Sequence, residues 1–375
     1  MEDVLYFGQS RYGWATQWYH ATRDAKDKTI TTVEDSYYGA SIADKPFRIY
    51  NAFESFVEPG EWYYDTKTDK FYIYPFEDTT ANSRLYITQN SFDMISVYGA
   101  SYVSIEGITI TSSSQRGVVM ENADNCVINN CVLNNFVNNA VRIDASTNCG
   151  IKNSHIAFGG YTLIYVNGGD WETMTPGNNF ISNNIIHDGN KYRVSDIATV
   201  RLCGVATRFD HNEVYNTMEQ AVQYAHAGSH DTSVNAIIEN NIFHDVCING
   251  KDMAAVYGGR DARCQGLIVR NNLFYNIGNA DPSFTFTVAA FYADDGLSGL
   301  VFENNIIGPG MSGPYTKGFI NNSGHNNIYR NNLLIDVPNI TSMTIDDARL
   351  LTSMRESTAG YGQSIGPTMA EVWQS

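Results

Sequence analysis

Four aspartates and one arginine gather at the ends of three short apolar segments in the second half of the chain. The segments read MEQAVQYAHAGSHD (218–231), KDMAAVYGGRDARCQG (251–266) and AAFYADDGLSG (289–299), and they carry Asp252, Arg260, Asp261, Asp294 and Asp295. Aligned on their apolar residues, Asp294 falls in the column of His226 and Gly259, Asp295 in that of Arg260, and Asp261 one place later. Carboxyl groups crowded on neighbouring strands suit glycoside hydrolysis, which needs two of them across the scissile bond. Crowding also raises the pKa of one acid, so that it can hold a proton to donate. Arg260 and His226 are candidates to position substrate, Tyr257, Tyr292 and Trp171 offer sugar-binding surface, and Gly258 and Gly259 allow close approach to the backbone.

An aspartate at a turn also bonds backbone N–H groups, so each of these acids has a plain structural reading as well. His187-Asp188 and His244-Asp245 follow apolar strands and read mainly as turn residues, while Glu213, Glu219 and Tyr192 carry no sharper signal.

The elements that position these residues show as two repeating columns. One holds GVVMEN (117–122), AVRIDA (140–145), LIYVNG (163–168), ATVRLC (198–203), AVQYAH (221–226), AAVYGG (254–259), AAFYAD (289–294) and KGFINN (317–322). The other runs from CVINNCVL (126–133) to IYRNNLL (328–334), each copy being strand, Asn-bearing turn, strand. Short strands with period-two alternation place one face inward on every repeat, and Asn tolerates the left-handed conformation of a tight corner while its amide can bond the equivalent residue one coil away. The pattern predicts an all-β, right-handed parallel β-helix, a pectate-lyase-like solenoid with coils of roughly 22–36 residues.

Three regions follow: a non-repetitive segment 1–90 with a β-hairpin over 61–74, the solenoid over 91–340, and a C-terminal tail 341–375. Between aligned Met120, Ile143, Val166, Leu202, Tyr224, Tyr257, Tyr292 and Ile320 the steps are 23, 23, 36, 22, 33, 35 and 28 residues. Because the core cross-section is constant, the extra residues must leave as loops, at about 168–178 with 188–197, 245–252 and 277–287, next to one strand column. Loops clustered on one face wall a cleft.

Composition narrows the partners. The 375 residues carry a formal net charge of −16, which argues against nucleic acid, an anionic membrane surface or a polyanionic substrate such as polygalacturonate. A neutral oligo- or polysaccharide fits better. No run approaches the ~20 apolar residues of a membrane-spanning helix. The opening MEDVLYFGQSRYGW reads as the interior of a domain, so a fragment is expected. Of the six cysteines, Cys126 and Cys149 sit at equivalent places in successive repeats and are expected to stack as small apolar residues, without a disulfide and without a structural zinc site.

At this point a resemblance enters. NAFESFVEPGEWYYDTKTDKFYIYP (51–75), KDMAAVYGGRD (251–261) and FYADDGLSGLVFENNIIG (291–308) resemble bacterial right-handed β-helix proteins grouped near glycoside hydrolase family 141 and, more distantly, family 120. The resemblance covers roughly 45–340 and implies hydrolysis of a neutral plant or host glycan of xylan or fucose type, a pair of catalytic aspartates, and an extracellular or periplasmic location. Carried over, the pair is Asp252 with Asp294 or Asp295; Asp294 is nucleophile or base, Asp252 the acid, and Asp261 and Asp295 are reserves. The partner glutamate of family 120 would fall near Asn321 and Asn322. A hydrolase of this kind requires no cofactor. The alternatives are a polysaccharide lyase or epimerase, for which the acidic cluster would hold Ca²⁺, and a glycan-binding β-helix without catalysis. The oligomeric state is open.

Overall fold

The structure is a computed structural model in which residues 4–9, 14, 16–24, 26–27, 29–33, 47–80, 82–191, 197–226, 232–249, 251–279, 287–311 and 315–344 are described. The chain divides into two compact units, Met1–Ile87 and Thr88–Ser375, close to the boundary expected near residue 90. In the first unit, Thr29–Thr32, Thr16–Asp24, Val4–Gln9 and Phe47–Tyr50 form an antiparallel sheet in that order, over a small core of Val4, Tyr6, Tyr19 and Ala21. Sequence reading left this sheet unrecognised. The expected hairpin is present: Trp62–Asp65 pairs with Lys70–Ile73. The Asp65 carboxylate accepts from the Lys67 and Thr68 N–H groups and so closes the turn.

The second unit is a right-handed parallel β-helix. Its described strands form three parallel sheets of ten, nine and nine strands. The first sheet runs from Ile95–Tyr98 to Asn339–Thr344, so the solenoid continues past the expected end at 340; residues 345–375 lie outside the described residues. Each strand pairs with its equivalent one coil away, as in Met120 with Ile143 and Ile143 with Val166, so coils stack at ~4.8 Å. Inward residues of the middle coils are wholly buried, among them Ile143, Ile151 and Ile156 of one coil. Each contributes roughly 1.5–3 kcal/mol of apolar burial, which is why alternation within strands of two to seven residues suffices.

The two roles expected of one corner Asn fall to two adjacent residues. The first takes the left-handed conformation, with φ of 53° at Asn130, 57° at Asn240 and 56° at Asn271. The second turns inward and builds a ladder, buried through Asn184, Asn212, Asn241, Asn272 and Asn305 and ending at the half-buried Asn332. Each backbone N–H donates to the Oδ1 one coil on, at 3.0 Å for Asn184 to Asn212 and 2.9 Å for Asn241 to Asn272. Each Nδ2 also donates to a carbonyl of the preceding coil, as Asn241 does to Phe209 at 3.1 Å. Cys126 and Cys149 stack unbridged, the Cys126 N–H meeting Cys149 Sγ at 3.3 Å, and all six cysteines are buried thiols.

One alignment needs correction. Tyr224 is not the register partner of Tyr257. Gln223 pairs with Tyr257 and Ala225 with Gly258, and the irregularity between them turns Tyr224 into the core, wholly buried, with its hydroxyl donating to the Tyr292 carbonyl at 3.1 Å. Of the expected loops, 168–178 carries the short antiparallel pair Gly169–Asp170 and Thr175–Pro176. Residues 192–196, 250 and 280–286 lie outside the described residues, Tyr192 with them.

Candidate active site

The outward face of the first sheet brings the aspartates of separate coils together. Tyr257 and Tyr292 are register partners and point away from the core, as do Gly259 and Asp294 two residues on. Gly259 leaves room for the Tyr257 phenol, which a Cβ there would meet at 2.9 Å. That phenol donates to Asp294 Oδ2 at 2.9 Å. Asp294 Oδ1 accepts from Asn322 Nδ2 on the following coil at 2.6 Å and from the Asp295 N–H at 2.8 Å.

Asp294 is only 7% exposed. Burial, then the neighbouring Asp295 charge, push its carboxyl above the ordinary aspartate value, against the hydrogen bonds from Asn322, Tyr257 and Tyr292. Asp252 differs: it is exposed and ends the loop before Met253–Gly259. The Tyr292 hydroxyl donates to Asp252 Oδ1 at 3.3 Å, and the Asp294 charge also acts on it. The phenol therefore lies in the field of both carboxylates. Burial and the charges of Asp294 and Asp252 push the Tyr292 phenol far up, so it remains a donor.

Asp295 is buried in a left-handed corner with φ of 47° and is ion-paired to Arg260, whose side chain stays half exposed. That pair is the rim of the site, next to Asp294. His226 follows Ala225, the partner of Gly258, and so occupies the equivalent position one coil back; it is half-buried.

Asp261 and Trp171 are placed elsewhere. Asp261 has no exposed surface, and Arg263 grips it through Nε at 2.7 Å, through its second guanidinium nitrogen and through its backbone N–H at 3.0 Å, while Thr232 Oγ1 adds a further donor. The left-handed Arg260, with φ of 57°, turns the chain inward between the site and Asp261. The Arg263 guanidinium lies 5.0 Å from the centre of the Trp171 ring, so Trp171 packs on the same buried ion pair. Asp261 is not available as the reserve catalytic acid, and Trp171, half-buried, gives one ring face to packing.

The remaining candidates are structural. His187, Tyr215, His244 and Tyr275 form a self-stacked ladder on the third sheet, with ring centroids 4.6–5.0 Å apart. Asp188 and Asp245 close its corners and bond their own preceding imidazoles at 2.6 and 2.7 Å. Glu213 meets His244 at 3.2 Å, and the buried Glu219 accepts from the Ile197 N–H at 3.2 Å. Among the described residues no group of three or more carboxylates, imidazoles or thiols is arranged to hold a metal ion. No helix of the described residues is long and apolar enough to cross a membrane. Sequence reading missed Asn322 as a donor to Asp294; its position one coil beyond the Asp-Asp pair was the signal.

The profile of the family described as right handed beta helix region matches residues 64–196. A solved structure named as a glycoside hydrolase has a TM-score of 0.58 at 11% identity, covering 94% of this chain and 70% of that one. An alginate lyase from Paenibacillus sp. str. FPU-7 has a TM-score of 0.40 at 10% identity, covering 67% and 97%. The A-module of a mannuronan C-5 epimerase from Azotobacter vinelandii has 0.38 at 11%, covering 66% and 59%. Likeness at this identity bears on the fold alone. No curated protein matches the sequence.

Proposed function

We propose that this chain is a glycoside hydrolase acting on a largely neutral glycan, with Asp294 and Asp252 as its catalytic pair. The observation that carries the reading is Tyr292, whose hydroxyl bonds Asp252 of the coil before and lies in the field of Asp294, two residues on along its own strand. The two acids belong to neighbouring coils of one strand column, as a carboxyl pair across a scissile bond requires.

The environments divide the roles in the reverse of the sequence expectation. Asp294, buried and pushed up, holds the proton that goes to the leaving glycosidic oxygen. Asp252, exposed, attacks the anomeric carbon or draws a proton from a water that does. Arg260 holds Asp295 in place and stands half exposed at the rim, where a guanidinium meets sugar hydroxyls. The solved structure named as a glycoside hydrolase shares the scaffold and so is consistent with this use of it.

The test is turnover of aryl xylosides, aryl fucosides and xylo-oligosaccharides, with proton NMR of the first-formed anomer. Loss of turnover in both Asp294→Asn and Asp252→Asn supports the pair; full activity in either variant removes it. Sugar binding without turnover of any substrate would overturn the catalytic reading, and unsaturated, ultraviolet-absorbing products would replace hydrolysis by elimination.

A further inference from the structure

The outward row that contains Tyr257 and Tyr292 continues through four earlier coils. Arg142, Tyr165, Arg201, Gln223, Tyr257 and Tyr292 are register partners in succession. Beside its first three members lies a groove of about 630 Å³, walled by Gln115, Asn138, Asn139 and Tyr161 as well as Arg142 and Arg201. None of these residues belongs to the catalytic pair.

We propose that this groove is an anion subsite, which binds a carboxylate or sulfate ester carried by an otherwise neutral glycan. Resting on the carbohydrate reading above, it names the class of substrate. Arg142 is held in advance of any ligand: one edge of its guanidinium is paired with Asp144 at 2.5 Å, and its face lies 4.2 Å from the centre of the Tyr165 ring. A guanidinium fixed this way keeps its other donors as a planar fork suited to an oxyanion. Arg201 is two coils on, roughly 10 Å away, with Tyr165 between them. Two arginines at this distance, in a groove lined mainly by amides and hydroxyls with Val137 among them, match a single charged substituent and its neighbouring sugar hydroxyls. The net charge of −16 opposes a polymer with an acid on every residue, whereas a sparse acidic branch brings one charge to the two guanidinium groups and avoids most of the repulsion. Arg201 lies three coils from Asp294, roughly 14 Å along the axis, so the branch would lie a few sugars from the scissile bond.

Isothermal calorimetry on the full chain carrying Asp252→Asn, an exposed position, tests this without turnover of the probe. The probes are xylotriose bearing one glucuronate against xylotetraose, and 6-sulfated N-acetyllactosamine against the unsulfated disaccharide. The expected result is at least tenfold tighter binding of the acidic member of one pair, weakened by salt, with the gap closed by Arg142→Gln and by Arg201→Gln separately. The pair that shows the gap identifies carboxylate or sulfate. Equal binding of both members in both pairs, or a gap that survives Arg201→Gln, overturns the subsite. Failure of the catalytic reading would show instead as absent turnover with the acidic preference intact.

Discussion

Tyr292 Oη lies 3.3 Å from Asp252 Oδ1, although the two residues are 40 positions apart in the chain. The contact exists because a whole coil intervenes and returns the chain one strand spacing higher. Through it, an exposed carboxylate at a loop end is joined to the strand that ends in the buried Asp294. A change at Tyr292 therefore alters the surroundings of both acids.

Asp294→Asn should lose activity by roughly 10²–10⁴-fold, the usual worth of a positioned proton donor, and should gain thermal stability. The sign follows from linkage. Burial and Asp295 raise the folded pKa above the ordinary 3.8, so the carboxyl's contribution is fully present below that value and is lost as pH rises through the raised one. At pH 7 the native state carries the cost, and Asn removes it. Melting curves should show the variant above the parent at pH 7, with the difference shrinking toward pH 3. A variant less stable than the parent at pH 7 contradicts the assignment.

Tyr257→Phe and Asn322→Ala each delete a donor that favours the Asp294 carboxylate. Both should move the basic limb of kcat/KM to higher pH. A downward movement in either variant would mean that the limb belongs to another group.

Asp261→Asn should lower the unfolding free energy by about 3–5 kcal/mol, because it leaves the buried Arg263 without its counter-charge. The pH profile of kcat/KM should match that of the parent. A displaced profile would return Asp261 to the chemistry.

Asn241→Ala removes the acceptor of the Asn212 N–H and a donor to the Phe209 carbonyl, both in a buried stack. The loss should be about 2–4 kcal/mol, the cost of stranding two or more polar groups. Hydrogen exchange should speed at Asn212 first. Uniform exchange along the solenoid would show that the ladder is not the local bond it is taken to be.

Much of the scaffold was legible because its rules are local. Alternation in strands such as AVRIDA states which residues face inward, and the Asn-Asn pairs mark corners at a period too regular for chance. The division of labour between the two Asn residues was not legible, since both side chains are chemically equal until one is turned inward. The bulge at Tyr224 was hidden for a similar reason. It displaces the chain by a single residue, and only the packing of Tyr224 under Tyr292 reveals the step.

Among the candidate acids, the sequence by itself determined that Asp252, Asp294 and Asp295 belong to adjacent coils of one strand column, since coil lengths count out that adjacency. It could not rank them. Asp261 stands two residues past Gly259 in a run that looks as exposed as the rest, yet it is wholly buried. Tertiary structure alone decided which carboxylate is sunk among donors, which is locked to an arginine and which meets water. Burial and hydrogen bonding are set by side chains 27–40 residues away in the chain, through differences of an ångström in register. Periodicity carries no information at that scale, and protonation depends on it.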